Sequence, residues 1–300
     1  MPTTLLDQLK SRRPTQPLYH YTSTEGLIGI LQKKCLRASA IHYLNDTAEY
    51  QHAASVARKL LGEYIYLRTG PPIDLCDRAL RSLNHCMDGT AFAASLSAEK
   101  DKLSQWRAYC PNGGFSIGFA PEVLERQAEK QGFATLQCIY DQAAQAALCA
   151  ELIAHGCTAA QVAQPDPKVI AVDNDPEKRM AQVVAQEYAI WQGFSEPFVG
   201  IAASLKNPCF QEENEWRVVS GPFGPMQEPP PDVCFRAGKY TAIPYLEFKL
   251  ADSDAPLEVE EIVIGPNPDA QLARKSINYL LRSLNARCNK ISEYSGTLRT

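Results

Sequence analysis

The sequence predicts an α+β fold built on a mixed or antiparallel sheet. Two observations carry this. Helical and strand-like patterns are intermixed along the chain but do not alternate as β-α-β-α, and the later strand-like runs follow one another in succession. No repeat or low-complexity tract divides the 300 residues, a length that buries a sufficient core. The reading is therefore one domain, 1–300, in which a long helical middle, about 141–206, is an insertion or cap on the sheet.

The elements follow from periodicity. The first strand, Pro17–Tyr21, is a short apolar run with His20 near its end. Leu27, Ile28, Ile30 and Leu31 then mark a helix, and Cys35–Ser39 (CLRAS) is a second extended run. Helical spacing is strongest at Ala48–Leu67, Glu122–Gln131, Ala143–Ala163, Glu177–Phe194 and Asp269–Cys288. Pro121 suits the first turn of the second of these, and the third starts soon after Asp141. Further strands are expected at Ala91–Ser95, Gly114–Phe119, Ala134–Tyr140, Trp216–Ser220, Val233–Arg236, Ala242–Leu250, Val259–Ile264 and Ile291–Tyr294. Loops are marked by Thr69–Pro72, Gln164–Pro176 and the proline-rich Gly221–Pro231. Asn45 and Asp46 with Glu49 read as a helix start, with a ligand role beside His20 as the alternative.

Composition excludes several classes. A net charge of −4 and a pI near 5.8 provide no basic field for charge-driven nucleic-acid binding, although a local basic groove is compatible with them. No apolar run reaches the roughly 18–20 residues needed to cross a bilayer, and the N-terminus lacks a signal-peptide core, so a cytoplasmic protein with no membrane partner is expected. The ten cysteines are scattered without a CxxC pair and read as free thiols, several of them buried. Cys76, His85 and Cys86 fit no familiar zinc spacing, so no metal is expected. A Walker-type GxxxxGK[ST], a GxGxxG after a strand, HExxH and GxSxG are all missing.

Three places remain. The first is His20 with Tyr21 and Thr22, a polar group at a strand end beside a short helix; a hydrogen-bonded core histidine is the alternative. The second is AFAASLS, Ala91–Ser97, followed by a helical SQWRAY, Ser104–Tyr109. Its small residues allow close ligand approach, and Trp106 and Tyr109 share a helix face that suits stacking on a planar ring or packing in the core. The third is Phe210–Arg217. A strand starting near Glu213 would place Glu213, Glu215 and Arg217 on one face, either solvated or as a carboxylate held by the guanidinium and aimed at developing positive charge.

These places together resemble a family of uncharacterised bacterial proteins with HYTS, LND, WRAY-like, ExEWR and IGP signatures, here His20–Ser23, Leu44–Asp46, Trp106–Tyr109, Glu213–Arg217 and Ile264–Pro266. More distantly, the His20 strand, Gly29-Ile30-Leu31, CLRAS, AFAAS and Glu213-Asn214-Glu215 resemble the histidine strand, second-strand block and ExE-type motif of the ADP-ribosyltransferase-like superfamily. That resemblance implies a sheet of the same type and NAD as a substrate. It also implies transfer of ADP-ribose to an unknown protein, nucleic-acid or small-molecule acceptor, or hydrolysis of NAD, in a setting such as bacterial conflict or phage defence. His20, with Thr22, would hold a ribose hydroxyl, Ser95 would sit at the nicotinamide end, and Trp106 or Tyr109 would stack on that ring. Glu215 would stabilise the oxocarbenium-like transition state, Glu213 would orient the acceptor, and Arg217 would hold the carboxylate. Lys206 would meet a phosphate or remain solvated. The chain departs from the superfamily in having Ser95 and Ser97 where one subgroup has a tyrosine, and His20 where another has an arginine. A non-catalytic module that keeps the fold to bind a nucleotide, nucleic acid or protein is the alternative.

Overall fold

The structure, a computed structural model, describes residues 3–44, 48–86, 90–163, 176–223, 230 and 232–296. Its ten strands are β1 (Leu18–Thr22), β2 (Cys35–Ala40), β3 (Phe92–Ser97), β4 (Phe115–Phe119), β5 (Phe133–Gln137), β6 (Glu215–Ser220), β7 (Cys234–Ala237), β8 (Ala242–Lys249), β9 (Leu257–Ile264) and β10 (Ala286–Glu293). They form one mixed sheet in the order β10-β9-β4-β1-β3-β2-β8-β7, with β6 also on β3 and β5 on β6. Among the described strands only β9 and β10 pair in parallel.

The sheet forks at β3. One edge of β3 pairs along Ala93–Ser97 with β6. The other edge is shared: β1 meets it only through Tyr19 opposite Ser97, and β2 only through Ser39 and Ala40 opposite Ala93 and Phe92. All five residues of β1 pair along its other edge with β4, and between the two short contacts on β3 the strands β1 and β2 diverge, leaving Ala94 and Ser95 at the gap. A backbone group left over at such a gap needs another partner. The Ser95 carbonyl finds one in the His20 imidazole, which approaches it through Nδ1 at 2.9 Å.

Helices cover both faces. On one, α3 (Ala48–Leu67), α4 (Ile73–Cys86), α7 (Gln142–Val162), α8 (Pro176–Ile190) and α9 (Glu196–Ala202) share a core with Ala93, Leu136 and Val219 of the sheet. Leu9 of α1 (Leu5–Ser11) joins it. On the other, α2 (Thr24–Lys33), α6 (Pro121–Gln131) and α10 (Ala270–Ser283) pack on Leu36, Ala38, Phe92, Ala94, Leu96, Trp216, Val218 and Phe248. The stripe Leu27, Ile30 and Leu31 is the buried face of α2, and the Ser23 hydroxyl caps its start by accepting from the Gly26 N–H. A further helix, α5 (Leu103–Tyr109), closes a smaller core of Tyr19, Tyr21, Trp106, Cys110 and Val263. The period of two therefore sends Tyr19 and Tyr21 to one face of β1 and Leu18 to the other.

Four expectations need correction. The 141–206 segment does pack on the sheet, but the helical layer also contains α3 and α4, and α4 was not anticipated although Leu75, Cys76, Ala79, Leu83 and Cys86 recur at helical spacing. The short α1 was missed as well. The helix expected over Glu177–Phe194 is interrupted, because α8 gives way to a π turn at Trp191–Ser195 before α9. There Gly193 lies against Gly156 of α7, and a Cβ on Gly193 would stand 2.7 Å from the Gly156 Cα. The helix expected to run to Cys288 stops at Ser283, since Asn285 adopts φ 50° and turns the chain into β10 at Ala286. Asn45, Asp46 and the Glu49 side chain of the expected helix start, and nearly all of the loop expected from Gln164 to Pro176, lie outside the described residues.

Among the described residues no helix is long and apolar enough to cross a membrane, and no group of three or more His, Cys, Asp or Glu side chains could hold a metal ion. Cys76 and Cys86 are buried in the helical core instead. The glycine contact yields a test of the cap. Gly193→Ala meets backbone on the α7 side and should lower the unfolding free energy by about 1–3 kcal/mol, read from denaturant melts; an unchanged midpoint would contradict this packing.

Candidate functional site

The fork in the sheet opens into a cleft of about 990 Å³. Its walls include His20 and Thr22 of β1, residues of α2 from Glu25 to Lys33, Arg37 and Ser39 of β2, Ala93–Ser95 of β3, and Tyr109, Lys206, Phe210, Glu213, Arg217 and Arg236. A second cavity of about 50 Å³ adjoins these residues and is lined by His20, Tyr21, Ser95, Tyr109, Glu213 and Glu215, among others. His20, Ser95, Tyr109 and Glu213 thus line both cavities, and Glu215 reaches only the smaller one.

His20 is half-buried. A carbonyl oxygen only accepts, so the hydrogen bond to Ser95 requires a proton on Nδ1 and leaves Nε2 of the neutral ring as an acceptor in the cleft. Burial holds the imidazole below its ordinary pKa, against the smaller opposing effect of the Ser95 carbonyl, which keeps the ring neutral near physiological pH.

The floor of the cleft is an ion cluster. Lys206, Glu215 and Arg217 are 2%, 4% and 3% exposed, so each charge must be met inside the protein. Arg217 forks onto Glu215, with Nε 2.7 Å from Oε1 and Nη2 3.0 Å from Oε2, while Nη1 donates to the Ala203 carbonyl at 2.6 Å. The Lys206 ammonium donates to Glu215 Oε2 and, at 2.5 Å, to Glu213 Oε2; it also lies 5.2 Å from the centre of the Phe210 ring. The Glu215 N–H donates to the Tyr140 hydroxyl at 3.0 Å. Burial pushes the Glu215 carboxyl up, but the charges and hydrogen bonds of Arg217 and Lys206 outweigh it and hold the group down to about 2.

Local backbone explains this arrangement. Pro208–Glu213 forms a 3-10 turn started by the Asn207 side chain, which accepts from the Cys209 N–H at 3.0 Å. Asn214 then adopts φ 43°, and β6 begins at Glu215. The expectation that Glu213 shares a strand face with Glu215 is therefore wrong. Glu213 lies on the turn before the strand, and Lys206 joins the two carboxylates. Glu215 and Arg217 do share a face, and Arg217 does hold a carboxylate, as one reading of the sequence had it.

Other expected site residues divide. Ser95 and Thr22 line the cleft, and Tyr109 turns toward it. Trp106 does not: it is 1% exposed, its Nε1 donates to Asp101 at 2.8 Å, and its ring meets Tyr21 edge-on at 4.7 Å between centroids. It packs in the core and is not available for stacking on a ligand. Tyr21 is largely buried too, its hydroxyl donating to the Glu99 carbonyl at 2.7 Å and accepting from the Lys102 N–H at 2.9 Å. Lys206 is neither solvated nor free to meet a phosphate, being held by two glutamates. Ser97 supports the site from behind, its hydroxyl donating to the Glu213 carbonyl at 2.7 Å. Sequence reading missed Tyr140 and the cleft positions of Arg37, Ser39 and Arg236. Alternation in β2 carried a signal for two of them, since Leu36 and Ala38 are buried on the opposite face.

The cluster makes a stability prediction with a definite sign. A carboxyl whose folded pKa is depressed from 4.5 to about 2 stabilises the fold fully above 4.5, and this contribution disappears as the pH falls toward 2. Glu215→Gln should cost about 3–5 kcal/mol near neutral pH, because two buried cations lose a partner. The gap between the two proteins should close as the pH falls through that window. Denaturant melts at stepped pH values check this, and a variant as stable as wild type near neutrality would contradict it.

A family model described as "Protein of unknown function (DUF2971)" matches residues 105–218. The match spans α5 through most of β6, so it includes Tyr109, Lys206, Glu213, Glu215 and Arg217 and leaves out His20, Ser95 and the IGP segment. It is narrower than the resemblance drawn from the signatures. No curated protein and no solved structure matches the chain. The chain is thus similar, over less than half its length, to a family whose function is itself unknown.

Proposed function

We propose that this protein is ADP-ribosyltransferase-like and takes NAD as its substrate in the forked-sheet cleft. It breaks the bond between nicotinamide and ribose and passes ADP-ribose to an acceptor or to water. The observation that carries this reading is that one cavity collects His20, Ser95, Tyr109 and Glu213, at a volume in the upper range of small-molecule sites. Here His20 Nε2 accepts a hydrogen bond from a ribose hydroxyl, and Tyr109 stacks on the nicotinamide ring beside Ser95. Departure of nicotinamide leaves positive charge at the anomeric carbon, and a preorganised carboxylate stabilises it.

The roles of the two glutamates change from those the resemblance implies. Both oxygens of Glu215 are engaged by Arg217 and Lys206, and its residue lines only the smaller cavity. Glu213 lines both. We therefore assign Glu213 as the carboxylate that faces the developing charge, and Glu215 as the positioning residue that fixes Lys206 and, through it, Glu213.

A non-catalytic nucleotide-binding module is the second reading, and the sealed state of Glu215 favours it. Nicotinamide release from NAD by purified protein, with and without cell extract, separates the two. The enzyme reading predicts release that Glu213→Gln cuts by about 10²–10³-fold with KM little changed. Wild-type protein that binds NAD yet releases no nicotinamide under any acceptor condition would leave the binding module.

A further inference from the structure

The charges on the cleft walls are uneven. Along the floor Lys206 and Arg217 are balanced by Glu213 and Glu215. The wall formed by β2 and β7 is different. Arg37 lies over the Tyr245 ring, its Cζ 5.4 Å from the centroid, and Arg236 donates through Nη2 to the Ser39 hydroxyl at 3.2 Å. Both arginines line the cleft, and among the described residues neither pairs with a carboxylate. The acid opposite Arg37 across the strands is Glu247, but Lys33 holds it at 3.1 Å and Lys249 holds its other oxygen. Glu25 is the remaining carboxylate on the cavity besides Glu213.

We propose that Arg37 and Arg236 form an anion subsite of the cleft that binds the diphosphate of a nucleotide ligand. Two planar guanidiniums that line one cleft, Arg37 from β2 and Arg236 from β7 with β8 between the strands, suit the oxygens of a diphosphate, each guanidinium being of the kind that donates forked pairs of hydrogen bonds. Both are already steered before any ligand arrives, one by an aromatic face and the other by the Ser39 hydroxyl, so little side-chain freedom is lost on binding. Burial, and then the charge of Arg37, lower the pKa of Arg236, so the two like charges act on one another and an anion between them relieves that cost. The cations of the floor are balanced by Glu213 and Glu215 and Lys33 is held by Glu247, so Arg37 and Arg236 are the lining cations left to take the phosphates.

The diphosphate subsite rests on the NAD reading only for the identity of the ligand that carries the phosphates. The test titrates ADP-ribose, inorganic diphosphate and adenosine calorimetrically into wild type, Arg37→Gln, Arg236→Gln and Arg236→Lys. Arg37 is exposed, so its variant keeps the test valid even if a change at Arg236 disturbs the fold. Each glutamine variant should weaken ADP-ribose by about 10- to 100-fold, Arg236→Lys by less, and adenosine should be unaffected. ADP-ribose bound equally well by wild type and both glutamine variants would overturn the subsite and leave the NAD reading standing. Arginine-dependent binding of inorganic diphosphate without any binding of ADP-ribose would support the subsite and remove NAD. Wild type that binds neither phosphate ligand would overturn both.

Discussion

The buried cluster of Lys206, Glu213, Glu215 and Arg217 is the interaction on which the rest of the site depends. Its two acids and two bases come from β6, the turn before it and the end of the helical cap, and they meet where the cap sits on the sheet. Burying such groups costs several kcal/mol per ion unless each is fully engaged, and here the forked Arg217–Glu215 pair, the Ala203 carbonyl and the shared ammonium supply that engagement. Apolar residues of similar volume often stabilise a buried site as well as an ion cluster does. What they would lack is a carboxylate fixed at the cleft, which is the part the cluster plays in the function proposed above.

The fork at β3 supplies the space the cluster faces. A continuous sheet would have paired β1 with β3 along its length and buried the Ser95 carbonyl in a ladder. Because β1 and β2 each meet β3 over only one or two residues, the two halves of the sheet diverge and His20 fills the missing hydrogen bond. That contact fixes the imidazole tautomer and leaves Nε2 as the acceptor of a residue that lines the cleft. The fork and the cluster divide the cleft into a neutral floor that presents Glu213 and a cationic wall that presents Arg37 and Arg236.

Much of the sheet could be read from the chain because each strand is a short apolar or alternating run bounded by turn residues; even β10 was found in part. The breaks were harder. The π turn at Trp191–Ser195 follows from a glycine-to-glycine contact between segments distant in sequence, and the end of α10 follows from one asparagine with positive φ. The site was legible where sequence spacing alone sets geometry, as with Glu215 and Arg217 two apart on a strand. It was not legible for Lys206, a lysine whose burial depends on two acids brought to it by a turn, nor for Arg236, whose place on the cleft depends on β7 pairing with β8. Trp106 misled because helical spacing alone cannot say which of two aromatic residues on one helix turns into the core.

In the function proposed above, the forked-sheet cleft holds a ribose-bearing nucleotide against His20. The most direct measurement is imidazole nitrogen NMR of labelled protein titrated with ADP-ribose near neutral pH, with the five histidines assigned by substitution. The Nε2 signal of a neutral, Nδ1-protonated His20 should move and saturate, while its Nδ1 signal, anchored on Ser95, stays nearly fixed. A His20 whose two nitrogens are both unmoved at saturating ligand would contradict it.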